Sequence, residues 1–273
     1  MRRAVLSFLF CSLCACGGEP QEEPTPRVPA TPRVEREETD AAIERAIAYL
    51  EPRIDNPHVC LFLGSMRRRF DLQAFADLPR KYDELLAGGG PSPDFLALRR
   101  ILHPKNVCPP AILAMIVSEA NRVLGPALYC DRGEYPPNYR GTLRGAVDEG
   151  GYALTHAGLA LAFMEAYGCD PPVHDPRNFK DKVVTKMAAL LDASDGTSDL
   201  EMESAAFLHL LGRGDLVPAG FVAAARAAQM PDGGWPGVSV LASDWHATAV
   251  GLWLLLETSR GEEEKRSLVK KPR

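Results

Sequence analysis

Three segments of this chain are apolar on nearly every side of the helix that each would form. They are GYALTHAGLALAFMEAYG from Gly151, SDLEMESAAFLHLLG from Ser198 and SDWHATAVGLWLLLE from Ser243. A helix with no extended polar face has to be enclosed by other elements, because its side chains cannot face water on any side. The chain must therefore surround these three helices, and their polar residues concentrate near the helix starts.

The segments between them are amphipathic or alanine-rich, as surface helices are. A buried helix followed by a surface helix, repeated about every 45 residues, indicates stacked helical hairpins with an inner and an outer set. No run shows the sustained alternation of a half-buried strand, so the sequence predicts an all-α fold. The predicted helices cover residues 39–52, 57–69, 74–87, 92–102, 110–124, 148–168, 177–192, 199–212, 218–229 and 243–258.

Two stretches interrupt the helical pattern. GGGPSP, residues 88–93, is a definite break, and residues 128–145, LYCDRGEYPPNYRGTLRG, are the longest stretch without helical periodicity. Gly125, Gly168 and Gly212 each follow a helical run. We expect a left-handed C-cap at each of them, since glycine adopts that conformation without strain.

The N-terminus has the layout of a secretory signal. Two arginines precede a short apolar run that is too short to cross a bilayer. Leu13 to Cys16 resemble the lipobox of bacterial lipoproteins, which implies cleavage after residue 15 and acylation of Cys16. The resemblance also implies an outer-membrane location, because Gly17 stands where the inner-membrane retention signal has Asp. An ordinary cleaved signal peptide is the alternative.

Residues 16–38 are rich in Pro and Glu and nearly free of large apolar side chains. Such a segment cannot bury enough surface to offset its ordering entropy, so we expect a disordered tether between the anchor and the folded part. The folded part then covers 39–261. Residues 262–273 are predicted to be a frayed, charged tail.

The charge pattern argues against nucleic acid as a partner. The formal net charge is −5 with 25% charged residues, and no Lys/Arg stripe with interleaved aromatic residues occurs. The densest basic run, 66–70, is explained by a solvated helix end.

Four of the seven cysteines lie beyond the signal and anchor region: Cys60, Cys108, Cys130 and Cys169. Thiols outside the cytoplasm tend to be oxidised, so one or two disulfides are expected, and three full pairings are possible. We favour Cys108 with Cys130, because each flanks the same apolar helix in a loop. Zinc binding by these cysteines is less favoured, since no close pair has ligand spacing.

A more specific pattern runs from Gln229 to Glu257. Gln229, then Asp232-Gly-Gly-Trp235, then His246-Ala-Thr at the head of an apolar helix, resembles the repeat of the α/α-toroid superfamily. That superfamily includes protein prenyltransferase β-subunits and squalene-hopene-type cyclases. The resemblance implies stacked αα-hairpins forming a partial or complete α/α toroid. Independently of it, Gly233 and Gly234 permit positive φ and Trp235 can wedge between two helices.

The chemistry of that superfamily transfers less completely than its fold. The DxDD and DDxxD motifs of its cyclases and synthases do not occur here, which disfavours terpene cyclisation. Its prenyltransferases bind zinc through an Asp, a Cys and a His at the heads of inner helices. His246 matches that His and Asp148 resembles the Asp, but Gly150 stands where the Cys belongs.

Polar residues near the starts of the three apolar helices are the candidate site. On the first helix Glu149, Tyr152 and His156 share one stripe, on the second Asp199 and Glu203 are one turn apart, and on the third Asp244 and His246 open the first turn. If the helices line a common axis, these residues meet at one rim. His156, Glu203 and His246 would then be metal ligands for Zn²⁺ or another divalent ion. Glu149 and Asp244 are the candidate bases, and Tyr152, Asp148 and Trp235 are expected to line the pocket.

Each of these residues also has a purely structural explanation. Asp148, Asp199 and Asp244 are at positions where an N-cap is common, and acidic residues in a first turn suit the helix dipole. A His on an apolar face is most often a hydrogen-bonded core residue, which is the explanation we adopt for His209.

Two functions from different classes follow. In the first, the chain is a membrane-anchored module that binds or organises an envelope protein, a peptide or a glycan. In the second, it is a zinc-dependent enzyme of the toroid type. The first is favoured, because the one specific motif is a structural turn and the cysteine ligand is missing.

Overall fold

A computed structural model describes residues 32–90, 92–133, 135–192, 198–237 and 242–269. The predicted signal peptide, the lipidated Cys16 and the tether up to residue 31 lie outside these residues. Within the described residues, no helix is both long enough and apolar enough to span a membrane.

The described chain is mostly helical, with 70% of its residues in helices, which confirms the all-α prediction. Its α-helices are α1 Pro32–Leu50, α2 Pro57–Phe70, α3 Leu78–Gly89, α4 Pro93–Leu98, α5 Pro110–Ala114, α6 Glu119–Leu128, α7 Tyr139–Glu149, α8 Gly151–Tyr167, α9 Pro176–Leu191, α10 Asp199–Leu210, α11 Phe221–Ala227 and α12 Trp245–Ser259. Two short strands, β1 Trp235–Pro236 and β2 Ser243–Asp244, pair antiparallel before α12.

Local capping explains several of the helix starts. Asn56 accepts a hydrogen bond from the backbone of His58 and Pro57 opens α2. Ser198 forms a complete capping box with Glu201 at the start of α10. These starts agree with the predicted ones to within one residue.

Two predictions for residues 110–125 are wrong. The predicted helix 110–124 is two helices, because the chain breaks after Ala114 and restarts with Ser118 as N-cap of α6. Gly125 lies inside α6 rather than at its end, and a Cβ there would come within 2.6 Å of Ile116 Cδ1. Close packing, not a left-handed cap, accounts for this glycine. Gly168 and Gly212 do adopt positive φ, at 80° and 74°.

Helix α7 lies in the stretch that showed no helical pattern. Its buried residues Tyr139, Leu143, Ala146 and Val147 follow helical spacing, but Gly141 and Gly145 dilute the signal. Gly150 and Gly151, with φ of 83° and 54°, then separate α7 from α8. The single helix predicted from 148 is therefore the end of α7 joined through this turn to α8.

Helix α1 begins seven residues before the predicted folded part, at Pro32. Arg226 of α11 holds this first section: its guanidinium donates to Glu35 O and Thr39 Oγ1, and it forms an ion pair with Glu38. The prediction of a disordered tether up to residue 38 is thus wrong for 32–38.

The inner helices contact one another in chain order. Helix α8 packs between α6 and α10, and α10 packs between α8 and α12. Helix α12 also contacts α1 and α2, from the other end of the chain. All residues from Ala247 to Glu257 are buried, so α12 is enclosed on every side as its sequence requires.

The glycine turn before α12 fixes the surrounding helices. Gly233 has φ of 90°, and a Cβ there would lie 2.4 Å from Arg45 O of α1. Gln229 Nε2 donates to Ala42 O and to Gly233 O, both at 2.9 Å. Trp235 is fully buried and its Nε1 donates to Ala225 O at 2.6 Å. The expected wedge between α11 and α12 is therefore present.

The disulfide joins Cys130 to Cys169, so the favoured pairing of Cys108 with Cys130 is wrong. Cys60 and Cys108 are buried free thiols. The bridge ties the loop after α6 to the end of α8, two segments that the missed helix α7 brings together. Without α7, no sequence pattern indicates that these loops lie side by side.

The predicted frayed tail is also wrong for residues 262–269. Leu268 and Val269 are buried, and Arg266 N donates to Arg69 O at 2.8 Å. Lys265 Nζ lies 3.5 Å from a carboxylate oxygen of the buried Glu257. Two apolar residues and this charge pair seal the C-terminal segment against α2 and α12. Residues 270–273 lie outside the described residues.

Gly251→Ala tests the packing of Trp235 on α12. A Cβ at Gly251 would lie 2.8 Å from the Trp235 ring, so we expect a loss of about 1–3 kcal/mol in the free energy of unfolding. Gly141→Ala is the matched control, since no atom lies within 4 Å of its Cβ position, and it should gain about 0.5–1 kcal/mol. Urea unfolding measures both, and equal effects at the two sites would refute this packing.

Candidate functional site

The heads of α8, α10 and α12 bring four side chains into contact. Tyr152 Oη donates to Asp199 Oδ1 at 2.5 Å, and His246 Nδ1 lies 3.2 Å from Asp199 Oδ2. His246 Nε2 lies 3.8 Å from Glu203 Oε2. We call Tyr152, Asp199, Glu203 and His246 the acid–imidazole cluster. These four predicted site residues do lie together.

Asp199 is the centre of the acid–imidazole cluster. As the first residue of α10, it has one oxygen that accepts from Tyr152 of α8 and a second that faces the imidazole of α12. Because a carboxylate can only accept, the contact with His246 requires the proton on Nδ1. Asp199 thus orients both neighbours and leaves Nε2 of His246 towards Glu203.

Glu203 is the most buried member, with a side chain only 1% exposed. Neither of its carboxylate oxygens has a hydrogen-bond partner among the described residues, because the nearby Thr155 hydroxyl donates to Tyr152 O at 2.9 Å instead. The 3.8 Å to His246 Nε2 is beyond hydrogen-bond distance. An unpaired buried carboxylate lowers the stability of the folded protein. Binding of a proton, a cation or a hydrogen-bond donor at Glu203 would therefore be stabilising.

Burial and mutual contact move the pKa values of the cluster in different directions. Burial raises the pKa of Glu203, and the nearby His156 and His246 offset this only in part. Burial alone would lower the pKa of His246, but the bond to Asp199 and the charges of Glu203, Asp199 and Asp244 leave it raised. For Asp199, burial raises the pKa, but the bonds from His246 and Tyr152 outweigh it and the result is lowered.

The two carboxyl groups are shifted in opposite directions: the lowered pKa makes Asp199 easier to ionise than usual, and the raised pKa makes Glu203 hold its proton to a higher pH than usual. Two carboxyl groups one helical turn apart therefore differ in acidity because their surroundings differ. The cluster thus combines a carboxylate acceptor at Asp199 with a buried acid, Glu203, whose Oε2 lies 3.8 Å from His246 Nε2.

His156 stands one turn below Tyr152 on α8. Its Nδ1 lies 2.6 Å from Tyr152 O, which can only accept, so the proton is on Nδ1 and Nε2 is left free. His246 has the same division between its two ring nitrogens. Each imidazole is thus held through Nδ1 and offers Nε2 to a further partner.

Aromatic rings surround His246. Phe62 of α2 meets the imidazole edge-on at 5.6 Å between ring centroids, Tyr152 does so at 5.8 Å and Trp245 at 5.5 Å. His58 stacks on Trp245 at 6.4 Å and contacts Phe95 of α4. Helices α2 and α4 therefore complete the surroundings of the cluster. Of these rings, sequence reasoning named Tyr152 and missed the others, although Trp245 directly precedes His246.

Asp244 lies beside the cluster but acts as the N-cap of α12. Its Oδ1 accepts from His246 N at 2.7 Å and from Ala247 N at 3.3 Å. Asp244 therefore has the N-cap role that its position at a helix start indicated. Its charge still acts on the cluster, because it contributes to the raised pKa of His246.

Three other predicted residues lie away from the acid–imidazole cluster. Asp148 is exposed and forms an ion pair with Lys182 of α9 at 2.6 Å. Glu149 lines a separate surface cleft with Glu119 and Arg122 of α6. Trp235 is a core residue with no exposed surface. The break between α7 and α8 explains the first two, because it places 148 and 149 on a different helix from Tyr152.

A metal site in a protein needs several His, Cys, Asp or Glu side chains close together. As their side chains are placed, no three or more His, Cys, Asp or Glu residues of the described chain are close enough together to hold one. The donors His156, Glu203 and His246 have suitable chemistry, but they would have to move to share an ion.

Comparisons with protein-family models, with curated proteins and with solved structures found no match for this chain. The resemblance to α/α-toroid proteins therefore depends on the Gln229–Glu257 motif and the order of the helices.

Glu203→Gln tests the buried acid. Since its pKa is raised in the folded state, the folded protein holds a proton that the unfolded chain releases. The contribution of Glu203 to the free energy of unfolding therefore falls as pH rises from the pKa of the unfolded chain, about 4.3, through the raised pKa of the folded protein. The variant lacks this loss, so its stability relative to wild type should grow with rising pH in that window.

Urea unfolding at a series of pH values measures this difference. Glu201→Gln is the matched control on the same helix, because Glu201 is partly exposed and glutamine can keep its capping bond. His246 also loses stabilisation as pH rises from about 6.5 upwards, and because the charge of Glu203 helps to raise the pKa of His246, the two proteins are compared below that pH. A pH-independent difference between Glu203→Gln and wild type would contradict a raised pKa at Glu203.

Proposed function

We propose that this chain is a lipid-anchored envelope protein whose helical toroid binds a glycan at the acid–imidazole cluster. The observation that carries the proposal is the unit in which Asp199 holds Tyr152 of α8 and His246 of α12 at the same edge of the body.

The contact order supports a toroid. Contacts run from α4 to α6, α8, α10 and α12 in turn, and α12 contacts α2, which in turn contacts the 3-10 turn that extends α4. The remaining α-helices alternate with this set along the chain, as the outer members of hairpins do. In this arrangement the N-terminal half completes the ring rather than forming a separate cap.

The sequence before Pro32 supports the anchor. Cys16 follows the lipobox-like residues, and a fully extended chain from there to α1 would span about 50 Å. Several acyl chains on one residue hold a protein at a membrane stably, since each buried methylene contributes about 0.8 kcal/mol. The folded part would then lie close to the membrane, where it can bind ligands of the envelope.

The chemistry of the cluster supports a glycan more than a flat protein surface. The Asp199 and His246 side chains are only 14% and 22% exposed, so they reach solvent over a small area among the surrounding rings. Carboxylate and imidazole groups suit sugar hydroxyls, while the rings of Tyr152 and Trp245 suit the apolar face of a sugar. Tyr152 is 40% exposed, which makes it the most accessible side chain of the cluster.

A second candidate is a zinc-dependent enzyme with His156, Glu203 and His246 as ligands. It is favoured by one observation: both imidazoles donate Nδ1–H to an oxygen and keep Nε2 free, as zinc-binding histidines do. The unpartnered Glu203 carboxylate could be the third donor. A bound zinc would supply an activated water. Of the two candidate bases, only Asp244 adjoins the cluster.

A built-in probe allows the glycan proposal to be tested. Two of the three tryptophans, Trp235 and Trp253, are buried, so a ligand at the cluster should change mainly the emission of Trp245. The probes are soluble peptidoglycan fragments and lipopolysaccharide core oligosaccharide. We expect saturable binding of one of them, weakened about tenfold or more in Asp199→Asn, because a charged hydrogen-bond partner is lost.

Asp148→Asn is the matched control, since Asp148 is an exposed aspartate away from the cluster. It should bind like wild type. Metal analysis of the same preparations separates the two candidates: stoichiometric zinc that is lost in His246→Ala would favour the enzyme. Absence of glycan binding, or equal weakening by both aspartate variants, would contradict the glycan proposal.

A further inference from the structure

A second cleft lies between α7 and α9, away from the acid–imidazole cluster. This cleft has a volume of about 360 Å³. A neighbouring cleft at the end of α8 is larger, at about 550 Å³. The smaller cleft is lined by Arg140 and Arg144 of α7, His174, and Lys182 of α9, with Asp175 as its one acidic residue. It follows the C-terminal end of α8, whereas the cluster lies at the N-terminal end.

The guanidinium groups of the two arginines have no close partner, although the charge of Arg144 contributes to the lowered pKa of Asp148. Arg140 and Arg144 are exposed, and within the described residues neither guanidinium makes a hydrogen bond or an ion pair. The other charges of the cleft are already paired: Lys182 contacts Asp148 at 2.6 Å, and Asp175 Oδ1 accepts from Asn178 N as the cap of α9. Two free guanidinium groups therefore remain to meet an anion.

The spacing of these arginines suits one shared ligand. Residues four apart on a helix lie on the same face, about 6 Å apart, so both side chains can reach the same group. A guanidinium offers donors in a planar fork that matches pairs of phosphate oxygens. A phosphate has enough oxygens to engage both forks at once, whereas a carboxylate is satisfied by one.

The walls of the cleft are held in place before any ligand binds. The Cys130–Cys169 disulfide ties the loop before α7 to the end of α8, and Tyr135 Oη donates to Asp170 O at 3.0 Å. Tyr139 stacks on Tyr135, and its buried hydroxyl donates to Val123 O at 2.7 Å. A site whose walls are fixed loses less entropy on binding.

We infer that the cleft between α7 and α9 is an anion site that binds a phosphate-bearing ligand through Arg140 and Arg144. Its volume of about 360 Å³ admits a phosphorylated sugar or a phospholipid headgroup. The site is separate from the proposed glycan site and would give the anchored protein a second contact within the envelope. Neither site depends on the other.

The test compares Arg140→Gln/Arg144→Gln with Arg122→Gln/Arg177→Gln in the full, detergent-solubilised chain. The control removes the same charge from α6 and from the neighbouring cleft. Calorimetry with inorganic phosphate should show saturable binding to wild type and to the control. The first variant should bind about tenfold more weakly or worse, the effect of losing charged hydrogen bonds. Circular dichroism checks that both variants fold.

Two further probes distinguish the sources of the phosphate. Glucose 6-phosphate represents a soluble phosphomonoester, and dihexanoyl phosphatidylglycerol represents a lipid headgroup. Tighter binding of either one than of inorganic phosphate, dependent on Arg140 and Arg144, supports the site and identifies its source. No saturable binding of any of the three probes, or equal weakening in the control, would overturn the inference.

Discussion

Enclosure of α12 is the constraint on which the rest of the structure depends. Every residue from Ala247 to Glu257 is buried, so this helix needs neighbours on all sides. It obtains them from both ends of the chain: α10 and α11 precede it, while α1 and α2 come from the N-terminus. The glycine turn at Gly233 and the wedge of Trp235 set the distance to α1 and α11. Closure of the chain on itself follows from burying this one helix.

The same constraint explains where the polar residues gather. Helices that are apolar along their length can carry charge only near an end, and the heads of α8, α10 and α12 meet. There Asp199 accepts from Tyr152, His246 and the backbone of Leu200, while no donor reaches Glu203, one turn deeper. A buried acid without a partner costs stability, and such a cost is commonly retained where a ligand or proton is handled. The functional site is therefore assigned to the acid–imidazole cluster and not to the N-cap residues beside it.

The sequence predicted the buried helices and most of the cluster, because apolar periodicity and helix-start residues are local signals. It missed α7, whose four core residues are interrupted by Gly141 and Gly145. That omission misplaced Asp148 and Glu149 and hid the Cys130–Cys169 bridge. The aromatic surroundings of His246 were also not predictable, since Phe62 and His58 come from a helix almost two hundred residues away. Contacts between distant segments leave no local pattern to detect.

The central claim is that Asp199 of α10 and His246 of α12 form one hydrogen-bonded unit. A double-mutant cycle with Asp199→Asn and His246→Gln, measured by urea unfolding at neutral pH, tests it most directly. The account predicts a coupling free energy of about 0.5–3 kcal/mol for this pair, and additive effects for His246→Gln combined with Asp148→Asn. Additive effects in the Asp199 and His246 pair would contradict the account, because residues in direct contact cannot act independently.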